Sequence, residues 1–455
     1  MDLLYCKAQD KVTQPGDSGM TTEIAVLNRL GLALAADSAV TISGGGTTKV
    51  FDSADKLFEL STIHPVGLML NGNMDCFGVP WEIIIKDFRE IHGADSNRPI
   101  EQWAKDFIAF VESRPDVGND HAMNYVRVVT ESEISRIKTE VPNRILSVKN
   151  SSKQTPQDII LPLILEIAKD RNTELIRYTI SHSVEDFSLE ELIKEYREFI
   201  SEIINLQFKP FHIEPDLELE IVLLVVRALR ASIPSEFSTG LVIAGYGYNE
   251  NYPAVASIEI DGYLKGRLKH SGVSSKAKIE RPELGYAVSF AQTDVIERVL
   301  SGVHPRFISK TSEFLLQVAT KLAHEIAGTL SPKASKKRRG SDAEKIEQIL
   351  HLISENYVEV TAPSFRSEFR DEFERMIALM PKMELIELAE ALISITAIER
   401  KATSDEGTVG GPIDVAFITK HEGFVWIKRK HYFEPGLNPR YFWRKYQQSK
   451  IGGDS

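Results

Sequence analysis

The strongest constraint on the fold is an apolar stretch near the start of the chain that turns back on itself. Residues 23–41 read EIAVLNRLGLALAADSAVT. The apolar run IAVL, the turn-forming NRLG and a second run beginning LALAA predict a β-hairpin. With the turn centred between Arg29 and Leu30, facing positions in the antiparallel pair sum to about 59. Thr21 then faces position 38, and Asp37 lies within one residue of it.

A hydroxyl beside a carboxylate at a point where a chain start can be made is what an N-terminal nucleophile needs. A freed Thr21 α-amine, with an ordinary pKa near 8, takes the hydroxyl proton itself. A lysine held by the carboxylate lowers that pKa and steers the proton. Lys56, in SADKLFEL, is the candidate, because a following strand can return it alongside the hairpin.

Further along, KVFDSADKLFEL predicts two short strands and VGLMLNG (66–72) a buried one, stopped by Asn-Gly. Helical periodicity follows in CFGVPWEIIIKDFREIHG and PIEQWAKDFIAFVESR, then in 188–206 and 217–233. Strands return in 239–268, with a turn near NENY, and in LGYAVSF. A helix over 383–401 leads into the strand pair PIDVAFITKHEGFVWIKRK. Strands at both ends with helices between them imply an α+β layered fold.

The 455 residues suffice for two to three units or one core with large insertions. A formal charge of −11 argues against general polyanion binding, so no nucleic-acid partner is expected. Apolar runs such as IVLLVV (221–226) fall short of the roughly 20 residues a membrane span needs. Residues 1–20 lack the features of a secretory signal. Two cysteines, Cys6 and Cys76, exclude a disulfide framework and fit a cytoplasmic protein.

Other motifs carry less. GYGYNENYPAV has close glycines but no helix after them to cradle a phosphate. KKRRG, inside the basic stretch 331–342, reads as a solvated loop. HEIAG at 324 lacks the second histidine of a zinc helix, and no Gly-x-Ser-x-Gly elbow occurs. No metal and no cofactor are expected. Asp414, in GPIDVAF, reads as a loop cap.

Taken together, TTEIAVLNRLGLALAADSAVT resembles the N-terminus of proteasome β subunits and of the bacterial HslV peptidase, which are N-terminal nucleophile (Ntn) hydrolases. In that pattern the mature chain opens with Thr-Thr and an acidic residue follows sixteen positions later, as Asp37 follows Thr21. KLFEL resembles the family segment that makes Lys56 the catalytic lysine. Gly72, in GLMLNGNMDCFG, matches the glycine whose backbone N–H forms the oxyanion hole, and Thr41 the threonine that binds the substrate backbone. AGYGYNENYPAVASIEIDG is similar to the central hairpin, and EGTVGGPIDVAFI to the segment before the last conserved strand. That alignment puts Glu406 where the family has an aspartate supporting the nucleophile. Val409 stands where a supporting serine is usual, a departure. Ser289, in AVSF, matches the other supporting serine without its usual glycines.

The resemblance implies a four-layer αββα sandwich built from 21–115, 236–302 and 381–432. Two helical insertions, 116–235 and 303–380, interrupt it, and 433–455 form a tail. It implies a threonine-type endopeptidase that forms an acyl-enzyme on Thr21. The alternatives are an Ntn amidohydrolase acting on a non-peptide amide, and an inactive proteasome-like structural subunit. Residues 1–20 are then a self-cleaved propeptide or lie upstream of a start at Met20. Gly19, one place earlier than the family glycine, favours the second route. A peptide or protein substrate, a homo-oligomer in ring form and an ATP-dependent unfoldase partner are implied by resemblance only.

Overall fold

The computed structural model describes residues 21–44, 47–95, 98–115, 119–145, 156–209, 211–291, 293–330, 348, 351–353, 356–403 and 410–444. The architecture is α+β. The N-terminal half runs β1 (Thr22–Asn28), β2 (Gly31–Ala36), β3 (Val40–Gly44), β4 (Thr47–Phe51), β5 (Leu57–Glu59) and β6 (Val66–Gly72). Two two-residue strands follow, β7 (Asp75–Cys76) and β8 (Val79–Pro80), then α1 (Trp81–His92) and α2 (Ile100–Ser113). Four helices come next: α3 (Asn119–Ile145), α4 (Pro156–Leu175), α5 (Leu189–Gln207) and α6 (Pro215–Arg230). Strands resume as β9 (Thr239–Gly245), β10 (Ala254–Leu264), β11 (Arg267–His270), β12 (Ser274–Lys278) and β13 (Tyr286–Ala291). The chain continues through α7 (Asp294–Ser301), α8 (Pro305–Leu330), α9 (Ala362–Leu379) and α10 (Lys382–Thr403) to β14 (Asp414–Thr419) and β15 (Gly423–Lys428).

Two antiparallel sheets dominate. One has the order β13-β1-β2-β14-β15; the other runs β11-β10-β9-β6-β5, with β12 also paired to β10. Every residue of β1 and β2 is buried, because both faces of the first sheet are covered. On one face, Ile24, Val26, Ala33 and Ala35 pack against Ile377 of α9 and Leu385, Ala389 and Ile393 of α10. On the other, Ala25, Leu27, Leu32 and Leu34 meet Met69, Val242 and Val255 of the second sheet. The outer face of that second sheet carries Leu68, Leu70, Leu241 and Ile243 against Trp81, Phe88, Trp103 and Phe107 of α1 and α2.

Helices α3–α6 have an apolar core of their own, including Tyr125, Ile164, Tyr196, Ile221 and Leu224, which Leu264 joins to the end of β10. A Lys269–Asp261 ion pair (2.9 Å) with Tyr125 Oη on the same carboxylate (2.6 Å) ties α3 to this sheet. Packing on the first sheet begins before residue 381: Asn28 Nδ2 donates to the carbonyls of Ile377 and Met380 at 2.8 and 2.9 Å. The C-terminal end of α9 thus belongs with the sheet rather than with the second insertion. Among the described residues, no helix is long and apolar enough to cross a membrane. The basic stretch 331–342 and residues 1–20 lie outside the described residues.

Candidate functional site

The site starts from the hairpin register. Glu23 pairs with Ala36 and Asn28 with Gly31, so facing positions sum to 59, the value expected from the two-residue turn. One step further, Asp37 N–H donates to the Thr22 carbonyl at 3.2 Å, and the Asp37 carboxylate accepts from Thr22 N–H at 3.2 Å. Asp37 therefore sits beside the Thr21–Thr22 end of β1, although both residues fall at the strand ends, where side chains have left the regular ladder. Thr21 and Asp37 are 3% and 1% exposed.

Lys56 completes the group. It immediately precedes β5, and its carbonyl accepts from Leu70 N–H at 2.9 Å, which extends the β5–β6 ladder by one pair. Its side chain crosses to the first sheet. There the Nζ is 2.8 Å from Asp37 Oδ1 and 3.1 Å from Thr21 Oγ1, and it also donates to the Ala39 carbonyl. All three protons of the ammonium thus have acceptors. Lys56 is 0% exposed. Two buried charges are tolerated only when each is paired and hydrogen-bonded, as here. Burial holds the Asp37 carboxyl above its usual range, an effect the neighbouring Lys56 ammonium offsets only in part. Gly410 N–H, from the segment entering β14, reaches Asp37 Oδ2 at 3.4 Å.

With Lys56 donating to it, the Thr21 hydroxyl is free to give its own proton elsewhere. An ammonium at this distance also stabilises negative charge developing on Oγ1. The arrangement has the chemistry of an activated nucleophile.

Gly72 ends β6 with φ +80°, and a Cβ there would fall on the Ser238 carbonyl oxygen, so only glycine fits. Strand alternation sets the direction of its amide. Leu70 N–H points to the β5 side and Asn73 N–H to the β9 side, where it donates to Ser238 O at 2.9 Å. Gly72 N–H therefore points to the β5 side, beyond the end of that strand and past Lys56. The corner is braced by Trp81 Nε1 donating to Thr239 Oγ1 (3.1 Å), which in turn donates to the Asn73 carbonyl (2.9 Å).

The remaining sequence candidates divide. Thr41 lies in β3 opposite Val50, near the Ala39 carbonyl that Lys56 holds; its side chain lies outside the described residues. Ser289 is not brought to the group. It pairs with Ile24, whose side chain faces the helices, and its hydroxyl donates to Glu297 Oε1 of α7 at 3.2 Å. Glu406 and Val409 lie outside the described residues. Asp414 is no loop cap: it opens β14, buried, bonded to Lys430 N–H (2.9 Å) and paired with Lys430 Nζ. Lys430 also reaches Asp55 at 3.3 Å and so anchors the turn that carries Lys56.

Two site residues escaped the sequence reading: Asn71, and Glu23, fully buried between the sheets. The available signal for Glu23 was a lone charge in the otherwise apolar strand TEIAVLN. No group of three or more metal-ligating side chains occurs among the described residues. No protein-family model matches the chain. No curated protein matches it either.

Proposed function

We propose that this protein is an N-terminal threonine hydrolase of the Ntn type, acting on peptide bonds through Thr21. The observation that carries the reading is the buried contact of Lys56 Nζ with both Thr21 Oγ1 (3.1 Å) and Asp37 Oδ1 (2.8 Å). Two face-packed antiparallel sheets with helices on both outer faces support reading the fold as a four-layer αββα sandwich.

The reaction begins once the Met20–Thr21 peptide bond has been opened, because the Thr21 nitrogen is otherwise an amide and cannot act as a base. The free α-amine then accepts the Oγ1 proton as Oγ1 attacks the substrate carbonyl carbon. The Gly72 N–H donates to the oxyanion, and the Lys56 ammonium offsets the charge on Oγ1. Collapse breaks the scissile C–N bond, and the α-ammonium returns its proton to the leaving amine. Water, deprotonated by the same amine, then attacks the Thr21 ester; the acid product leaves and Oγ1 regains its proton. Asp37 holds Lys56 in place.

Exposed apolar side chains on α8 and α9, among them Phe307, Phe314, Phe365 and Phe369, support self-association. An unfoldase partner rests on the sequence resemblance alone.

The test joins an N-terminal mass measurement on native protein to a fluorogenic peptide panel. The expected result is a chain starting at Thr21 whose peptide hydrolysis falls by on the order of 10³-fold or more in Thr21→Ala. A Thr21 start with activity confined to small non-peptide amides assigns the amidohydrolase alternative. A chain that always retains the residues before Thr21 removes the catalytic reading.

A further inference from the structure

The inward-facing positions of β1 are Glu23, Ala25 and Leu27. Ala25 and Leu27 belong to the apolar layer between the sheets, whereas Glu23 puts a carboxyl there with no solvent exposure. Its Oε2 accepts from Asn71 Nδ2 at 3.0 Å, and its Oε1 has no partner among the described residues. Asn71 directly precedes Gly72 and faces Gly240 across the β6–β9 ladder. A Cβ at Gly240 would run into the Asn71 carboxamide, so that glycine leaves the space in which Asn71 reaches Glu23.

We propose that Glu23 and Asn71 are positioning residues for the reaction at Thr21. Their bond crosses from the strand of the nucleophile to the strand of the oxyanion glycine, and fixes the Gly72 end of β6 against the Thr21 end of β1. The proposal rests on the function proposed above. A side-chain bond is needed because these strands lie in different sheets and share no ladder. A loosened Gly72 amide would miss the oxyanion, and a 1 Å misplacement costs on the order of 10²-fold in rate.

The charge of the pair adds a second signature. Burial raises the Glu23 carboxyl to about 8, so it is neutral at pH 7. The charged groups facing it are Lys56, beside β5, which lowers that value, and Asp37, after β2, which raises it. Ionisation above pH 8 places a second anion beside Asp37. That anion keeps a nearby amine protonated to higher pH, so the neutral base, and with it the full rate, is reached only at higher pH.

The decisive experiment uses the full chain in four forms: wild type, Glu23→Gln, Glu23→Ala and Gly240→Ala. Glu23→Gln keeps an acceptor for Asn71 but cannot titrate. Its kcat/KM profile is expected to reach its alkaline plateau at lower pH than the wild-type profile. Glu23→Ala and Gly240→Ala are expected to lose about 10- to 100-fold in kcat at every pH, with KM moving less than about threefold. A Glu23→Gln profile superimposable on wild type, or full kcat in both alanine variants, overturns the proposal.

A readout independent of turnover separates this from failure of the function itself. In ¹⁵N-glycine-labelled protein the Gly72 amide signal is expected to titrate with a midpoint near 8, and the titration to vanish in Glu23→Gln. A Gly72 signal that ignores this range overturns the positioning role, whatever the activity. Hydrolysis that survives Thr21→Ala removes the function and leaves the Gly72 titration to decide the pair.

Discussion

At the scale of single residues the site is a problem of charge in a dry place. Lys56 and Asp37 are each tolerable only because of the other. Replacing Lys56 by methionine strands the Asp37 carboxylate, and equilibrium denaturation is expected to show a loss of about 3–5 kcal/mol. The double change Lys56→Met, Asp37→Asn should recover part of that loss, since the two residues act as one unit. A double variant no more stable than Lys56→Met would show that the stability lies in packing of the lysine stem instead. Glu23 behaves oppositely with pH. Its native carboxyl keeps a proton to about pH 8, whereas the unfolded chain releases it near the ordinary value of 4.5. Between those limits the native state binds the extra proton, so raising pH destabilises the fold by about 1.4 kcal/mol per unit. Below 4.5 and above about 8 the contribution is flat. Glu23→Gln should remove that slope from a plot of unfolding free energy against pH.

At the scale of elements, the corner at the end of β6 has no room for a side chain. Gly72→Ala would force a side chain into a left-handed backbone conformation and onto the Ser238 carbonyl. A loss of at least about 1–2 kcal/mol is expected, visible as a lowered Tm, together with loss of turnover. Unchanged thermal stability would mean that the corner relaxes without cost. The same scale shows what was legible beforehand. The β1–β2 register follows from local chemistry: a two-residue turn at Arg29-Leu30 leaves one pairing, and with it Asp37 comes to Thr21. Lys56, which the structure brings to Thr21 and Asp37, could be anticipated from the strand that returns it alongside the hairpin, whereas Gly72 was singled out by the family resemblance alone. Ser289 was misplaced because alternation along AVSF does not say which face meets the helices. Glu23 was missed for a related reason: its partner Asn71 comes from a strand remote in sequence, and a lone charge in an apolar run does not reveal what it will face. The Asp414–Lys430 pair was nearer to hand, because the two residues stand only 16 positions apart at the open end of one hairpin.

At the scale of the whole molecule, helices α3–α6 are a second core joined to the sheets by several polar contacts: Tyr196 Oη accepts from Lys265 N–H (3.1 Å), Asp186 pairs with Arg267 (2.7 Å) and Ser183 Oγ accepts from His270 N–H (2.8 Å). The Tyr125–Asp261–Lys269 group is a further one, and it is buried. Lys269→Met should cost about 3–5 kcal/mol, towards the lower end because Tyr125 and the Ser235 amide still serve Asp261. Amide exchange is expected to rise first in residues 119–230, ahead of β1 and β6. Uniform acceleration throughout would show that the helices and sheets unfold as one unit.

The strand β14 lies between β2 and β15, and the segment around it supplies Gly410 and Lys430 to the surroundings of Asp37 and Lys56. These residues are made some 390 to 410 positions after Thr21. A nascent chain can form the first hairpin early, yet its nucleophile stays without finished surroundings until synthesis has passed residue 430. Order of synthesis would then act as a safety catch, holding back any self-processing at Met20–Thr21 while the chain is still being made. Ribosome-arrested chains stopped before and after residue 430 provide the check: cleavage at that bond in the shorter ones would remove the catch.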